Sequence, residues 1–92
     1  MKSTDLKKCS QILKVLGNPK RLEIVLYLKE KEMNVHELEK KVDLSQSALS
    51  QHLAILRKSK IAHTRREAQK IFYSLSEGYT AKIVDLINSI CA

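Results

Sequence analysis

Gln46, Ser47, Ser50 and Gln51 are the residues of this 92-residue chain whose types and spacing point most directly to chemistry. Each side chain both donates and accepts hydrogen bonds. A glutamine can pair bidentately with an adenine edge, and a serine accepts either kind of partner. If Gln46 to Lys58 is helical, then at ~100° per residue Ser47, Ser50, Gln51, Ala54, Arg57 and Lys58 share an arc of roughly 140° with Gln46. Leu49, Leu53 and Leu56 fall on the opposite arc, with Ala48 and Ile55 near its edge. One face is small, polar and basic; the other is aliphatic. Ala54 lets a backbone come close, and Arg57 and Lys58 lie further along, where phosphate would be met.

A second group follows. Arg65, Arg66, Gln69 and Lys70 surround a short polar break, Glu67-Ala68. They could reach phosphates or an adjacent minor groove. Ser45, at the N-cap of this basic-faced helix, would turn free N–H groups toward an anion. Between Ser45 and Lys70 six bases face one acid, so +5 of the chain's net +7 lies in that stretch. A basic surface of this kind favours a polyanionic partner.

The remaining reactive groups are sparse. Cys9 and Cys91 sit at opposite ends of the chain. A disulfide needs Cα atoms within about 7 Å. If the first and last helices run antiparallel, the two sulfurs lie at one level; if parallel, they are more than ~15 Å apart. Cys9 could equally be a small buried hydrophobe. His36 and His63 lack partners at metal-ligand spacing and read as surface residues. His52 lies on the aliphatic arc and reads as a packed, hydrogen-bonded histidine. A metal site needs three or four suitable ligands, so no metal or cofactor is expected. There is no Gly-rich phosphate loop, no paired carboxylate set and no Cys/His arrangement with an orienting third group. An enzyme is not expected.

The elements that must position these groups are mostly helical. Leu6, Cys9, Leu13 and Leu16 form a stripe on a helix from about Asp5 to Leu16, ended by Gly17 as a left-handed residue. Asn18-Pro19 reads as N-cap and first residue of a second helix, to about Lys31, with Leu22, Val25, Leu26 and Leu28 as candidates for its inward side. Asn34 and Glu37 resemble a capping box opening a short third helix, Val35 to Val42, with Leu38 inward. Ser45 caps the fourth. Ile61 to Arg66 and Gln69 to Leu75 then switch to β-branched and aromatic residues and read as a hairpin. Its turn lacks Asn-Gly. Ser76 is a cap candidate for a last helix, Glu77 to Ile90, striped by Tyr79, Ile83, Leu86 and Ile90.

The order is ααααββα: a mainly α, winged helix-turn-helix fold. The length leaves room for one domain, residues 1–92, with a thin core. The narrow stripes Leu6, Leu13, Leu16 and Tyr79, Ile83, Leu86, Ile90 suggest that a second copy completes it, as a homodimer. A two-fold dimer would set its recognition helices ~34–36 Å apart and read an inverted repeat. No apolar run approaches the roughly 20 residues of a membrane span, and the N-terminus lacks a signal-peptide core. A cytoplasmic location is expected.

Three runs carry a resemblance. Leu16-Gly17-Asn18-Pro19-Lys20-Arg21-Leu22-Glu23-Ile24, then Leu44 to Arg57, then Arg65 to Leu75, resemble the ArsR/SmtB family of bacterial regulators over nearly the whole chain. Ser45 to Leu53 and Arg65-Arg66-Glu67-Ala68-Gln69 look most like its thiol-sensing, HlyU/BigR-like branch. The resemblance implies a homodimeric repressor or anti-repressor that binds a duplex operator. Metal-sensing relatives carry Cys-x-Cys at the start of the third helix, where this chain has Asn34-Val35-His36. Thiol-sensing relatives pair a second-helix cysteine with one near the C-terminus. Cys91 matches the latter, but the former falls at Leu26, which leaves Cys9 as the candidate redox partner. The rival reading is a winged helix used for protein–protein contact, without sequence-specific DNA binding.

Overall fold

The computed structural model describes residues 1–91. In chain order these form α1 (Ser3–Leu16), α2 (Pro19–Glu30), β1 (Met33–Asn34), α3 (Val35–Lys41), α4 (Gln46–Lys58), β2 (Ala62–Glu67), β3 (Lys70–Leu75) and α5 (Tyr79–Cys91). The expected order holds with one addition, the short strand β1. It pairs antiparallel with β3, Met33 opposite Tyr73 and Asn34 opposite Phe72. With β2 on its other side, β3 is the centre of a three-stranded sheet.

Local signals set most boundaries. Asn18 Oδ1 accepts from the backbone N–H of Lys20 at 2.9 Å and of Arg21 at 3.1 Å, and Pro19 sits where no N–H is needed. At α3 the capping box is complete: Glu37 N–H donates to Asn34 Oδ1 at 2.8 Å, and Asn34 N–H donates to Glu37 Oε1 at 3.0 Å. Ser45 Oγ accepts from Ala48 N–H at 3.2 Å and starts α4. That helix stops in a reciprocal pair of backbone bonds, Ile61 N–H to the Leu56 carbonyl and Lys60 N–H to the Arg57 carbonyl. Lys60 takes φ 64° to make it.

Two expected boundaries differ. Gly17 has φ −75°, so it is not a left-handed terminator. Its lack of a side chain serves a close approach instead: a Cβ there would lie 3.1 Å from the Leu13 carbonyl oxygen. Ser76 does not cap α5. Its Oγ donates to the Lys60 carbonyl at 2.8 Å and its N–H to the Ile61 carbonyl, which binds the end of β3 to the start of the hairpin. The left-handed residue before α5 is Gly78, at φ 81°.

The core gathers Ile24, Val25 and Leu28 of α2, Leu38 of α3, Leu49, Leu53 and Leu56 of α4, Met33, Ile61 and Ala62 of the sheet region, and Val84 of α5. Full burial of each large aliphatic side chain contributes roughly 1.5–3 kcal/mol. Leu22 and Leu26, expected inward, are only half-buried, while Ile24 takes a central place. α1 packs through Ile12, Val15 and Leu16. Its stripe of Leu6, Cys9 and Leu13 lies on an adjacent face and is exposed. Leu16, expected on that stripe, belongs to the chain's own core. No helix among the described residues is long and apolar enough to cross a membrane.

Candidate nucleic-acid interface

α3 and α4, joined by a short turn through Val42 and Leu44, form the helix-turn-helix. Burial sorts α4 into the two faces read from its sequence. Leu49, Leu53 and Leu56 are buried, and Gln46, Ser47, Ser50, Gln51, Ala54, Arg57 and Lys58 are all exposed. The aliphatic side fixes the rotation of the helix. The polar side is therefore presented outward at a defined angle. Ser45, also exposed, stands at its N-terminus.

β2 and β3 form the wing. Their register pairs Glu67 with Lys70 and leaves Ala68 and Gln69 as the turn. Ala68 has φ 57°, the left-handed geometry that the favoured two-residue hairpin turns require. Arg65, Arg66, Gln69 and Lys70 are exposed around this tip.

The two arginines are not equivalent. Successive side chains on a strand point to opposite faces, and directly opposed residues share a face. Arg66 opposes Ile71 and lies on the face of Thr64 and Tyr73. Tyr73 lines a groove with Ser50, Ala54, Arg57 and Lys58, so this face looks toward α4. Arg65 opposes Phe72 on the other face. There its Nη2 lies 2.7 Å from Glu32 Oε1, its Nε donates to both Glu32 oxygens at 2.9 Å, and its Nη1 donates to Glu67 Oε2 at 2.8 Å. Its guanidinium carbon sits 4.6 Å from the Phe72 ring centre. The bonds to Glu32, then to Glu67, hold its pKa above the ordinary arginine range. Among the described residues no acid pairs with Arg57, Lys58, Arg66 or Lys70.

Tyr73 is a residue of this groove that the sequence did not single out. Its signal was the alternation Ile71, Tyr73, Leu75 in β3, which places it on the inner face.

His52 is half-buried on the back of α4, with Nδ1 3.5 Å from Arg21 Nη1. His36 and His63 are exposed, and His63 Nε2 lies 3.1 Å from Ser74 Oγ. Among the described residues no group of three His, Cys, Asp or Glu side chains could hold a metal.

The far side of the molecule carries a different surface. Leu6, Leu13, Tyr79, Leu86 and Ile90 are exposed on α1 and α5, and Ile83 is partly covered. Cys9 lines a groove of about 450 Å³ there with Ile12, Leu13, Tyr79 and Ile83. Cys9 and Cys91 are both free and exposed. Cys9 thus lies beside the first turns of α5, whereas Cys91 ends that helix, ~12 Å beyond Ile83 and ~18 Å beyond Tyr79 at ~1.5 Å per residue.

A helix-turn-helix with a β-hairpin wing and an outward polar helix defines a winged-helix regulator. The comparisons identify its kind. The family model described as bacterial regulatory protein, arsR family, matches residues 18–64. The transcriptional activator HlyU of Vibrio cholerae is 42% identical over 83 residues, 90% of this chain and 77% of the relative. The biofilm growth-associated repressor of Agrobacterium fabrum is 44% identical over 82 residues, 88% of this chain and 70% of the relative. A solved structure of HlyU from Vibrio cholerae superimposes with a TM-score of 0.93 at 39% identity, covering 99% of this chain and all of that one. The chain belongs to the ArsR family of regulators, in the branch of HlyU and BigR. It is a transcriptional regulator and not an enzyme.

Proposed function

We propose that this chain acts as a cytoplasmic, homodimeric, sequence-specific regulator, working as one winged-helix domain per protomer. It reads an inverted-repeat DNA operator with α4 and grips the flanking backbone with the wing. The observation that carries this is the exposure of Gln46, Ser47, Ser50 and Gln51 on one face of a helix whose opposite face is locked in the core. Ser45, Arg57, Lys58, Gln69 and Lys70 extend that face as backbone contacts. The exposed apolar residues of α1 and α5 support pairing with a second copy, because a chain this small leaves them uncovered alone. Relatives that act as an activator and as a repressor support either sign of control, repression or relief of another repressor.

Redox control through Cys9 and Cys91 belongs to the same reading. Two free, exposed thiols support it. Their separation along α5 favours a bond between protomers over one within a chain.

Selection of bound duplexes from random sequence tests the central claim. Enrichment of an inverted repeat, with affinity falling steeply as salt rises, is the expected result. No enriched sequence and a flat salt response would instead favour a protein–protein module.

A further inference from the structure

We propose that Arg65 is a positioning residue of the wing and that Arg66 is the wing arginine that meets phosphate. This rests on the reading that the wing binds DNA, and it divides the labour within it.

The argument begins with strand alternation. Adjacent residues of β2 face opposite ways, so a flat hairpin cannot offer both arginines to one duplex equally. Arg66 is on the face that looks toward α4, exposed and without an acidic partner among the described residues. Arg65 is on the reverse face, with Glu32 taken by its Nε and Nη2 and Glu67 taken by its Nη1. Its ring-facing side rests on Phe72. The planar guanidinium is satisfied on three nitrogens and one face. To reach a phosphate it would have to leave two carboxylates.

Glu32 gives this clamp its purpose. It lies in the link between α2 and β1, 33 residues from Arg65 in sequence. The bridge therefore ties the wing to the segment that leads into α3 and the helix-turn-helix. Glu67, one residue before the turn, extends the tie to the wing tip. The effect is to fix the angle between wing and recognition helix, while Arg66 and Lys70 keep their charge free.

The test is operator affinity across a salt series, on a duplex enriched by selection from random sequence, for five variants. Arg66→Ala is expected to reduce the salt slope by about one unit. Arg65→Ala and Glu32→Gln are each expected to weaken binding about fivefold, the scale of an exposed ion pair, with the slope unchanged. The double variant is expected to be no weaker than either single one, since both break the same tie. Arg65→Lys separates the roles further. A lysine keeps the charge that a phosphate would need but cannot span two carboxylates in a fork, so it is expected to behave like Arg65→Ala.

A reduced slope for Arg65→Ala, full affinity in Arg65→Lys, or tighter binding in Glu32→Gln would each overturn the assignment, because each is what an arginine on phosphate would give. An unchanged slope for Arg66→Ala would overturn the assignment of Arg66, and an unchanged slope and affinity in every variant would show that the wing is not on the DNA and remove the reading beneath it. The three residues changed are exposed or partly exposed, so thermal unfolding of each variant is expected to stay near that of the parent.

Discussion

Arg21 and His52 meet across two helices: Nη1 of the arginine lies 3.5 Å from Nδ1 of the histidine, while its Nε donates to the Val15 carbonyl at 2.8 Å. One guanidinium thus gathers the end of α1, the first turn of α2 and the back of α4. Burial, and then the Arg21 charge, lower the His52 pKa from 6.5. The folded chain keeps this imidazole neutral where the unfolded chain begins to protonate it. The sign follows: stability from this site is whole above 6.5 and declines as pH falls below it. Urea unfolding at neutral and at mildly acid pH checks this in the parent and in His52→Gln. The variant is expected to lose less on acidification; equal losses would clear His52 of the effect.

Base reading and backbone contact are expected to separate by mutation. Gln51→Ala or Ser50→Ala removes a side chain that can bond a base edge, worth roughly 1–3 kcal/mol of discrimination in a good bidentate pair. Specificity is expected to relax at particular operator positions. Arg57→Ala is expected to weaken binding to all duplexes alike and to flatten the salt slope. Binding measured against a panel of single-base operator changes distinguishes the two patterns.

Pairing of two chains is expected to depend on Leu13 and Leu86, both exposed in one copy. Burial of each contributes roughly 1.5–3 kcal/mol per protomer. Leu86→Glu is expected to shift sedimentation from dimer to monomer and to lose operator binding while the helical spectrum is retained. A Leu86→Glu protein that still sediments as a dimer would put the interface elsewhere.

Oxidation gives a further check. Hydrogen peroxide converts two thiols to one disulfide, itself being reduced to water. Any bond formed is expected to run between chains, appearing on a non-reducing gel at dimer mass and disappearing in Cys9→Ser. Operator affinity is expected to change with it and to recover with reductant. Unchanged affinity after oxidation, or a normal response in Cys9→Ser, would end the case for this pair.

What could be read in advance was what is decided locally. Asn18-Pro19, Asn34 with Glu37, and Ser45 satisfy backbone groups within three residues of themselves, so their caps are written in adjacent letters. The two faces of α4 follow from the helical period alone. The differences arise where distant segments decide. β1 is two residues long and exists because β3 pairs with it. Ser76 has a cap's chemistry but bonds the Lys60 carbonyl, 16 residues back. α1 has two adjacent apolar faces, and spacing could not say that Ile12 and Val15 go inward while Leu6 and Leu13 do not. Of the candidate interface, the positions on α4 and the wing were legible as exposed polar and basic groups. The capture of Arg65 by Glu32 was not, since nothing near Arg65 in sequence announces it.

Ala68 carries a consequence for the order in which the molecule loosens. A side-chain-bearing residue in the left-handed region costs of order 1 kcal/mol, and a glycine there would not. The turn thus pulls against the hairpin it closes, and the ladder from Ala62–Leu75 to Glu67–Lys70 holds it shut. Opening is expected to begin at the tip and travel toward the base. Amide hydrogens around Gln69 would exchange with solvent first, and those beside Ala62 last. On the proposed docking, the part of the wing nearest the duplex is then also the part with the least to lose by changing shape.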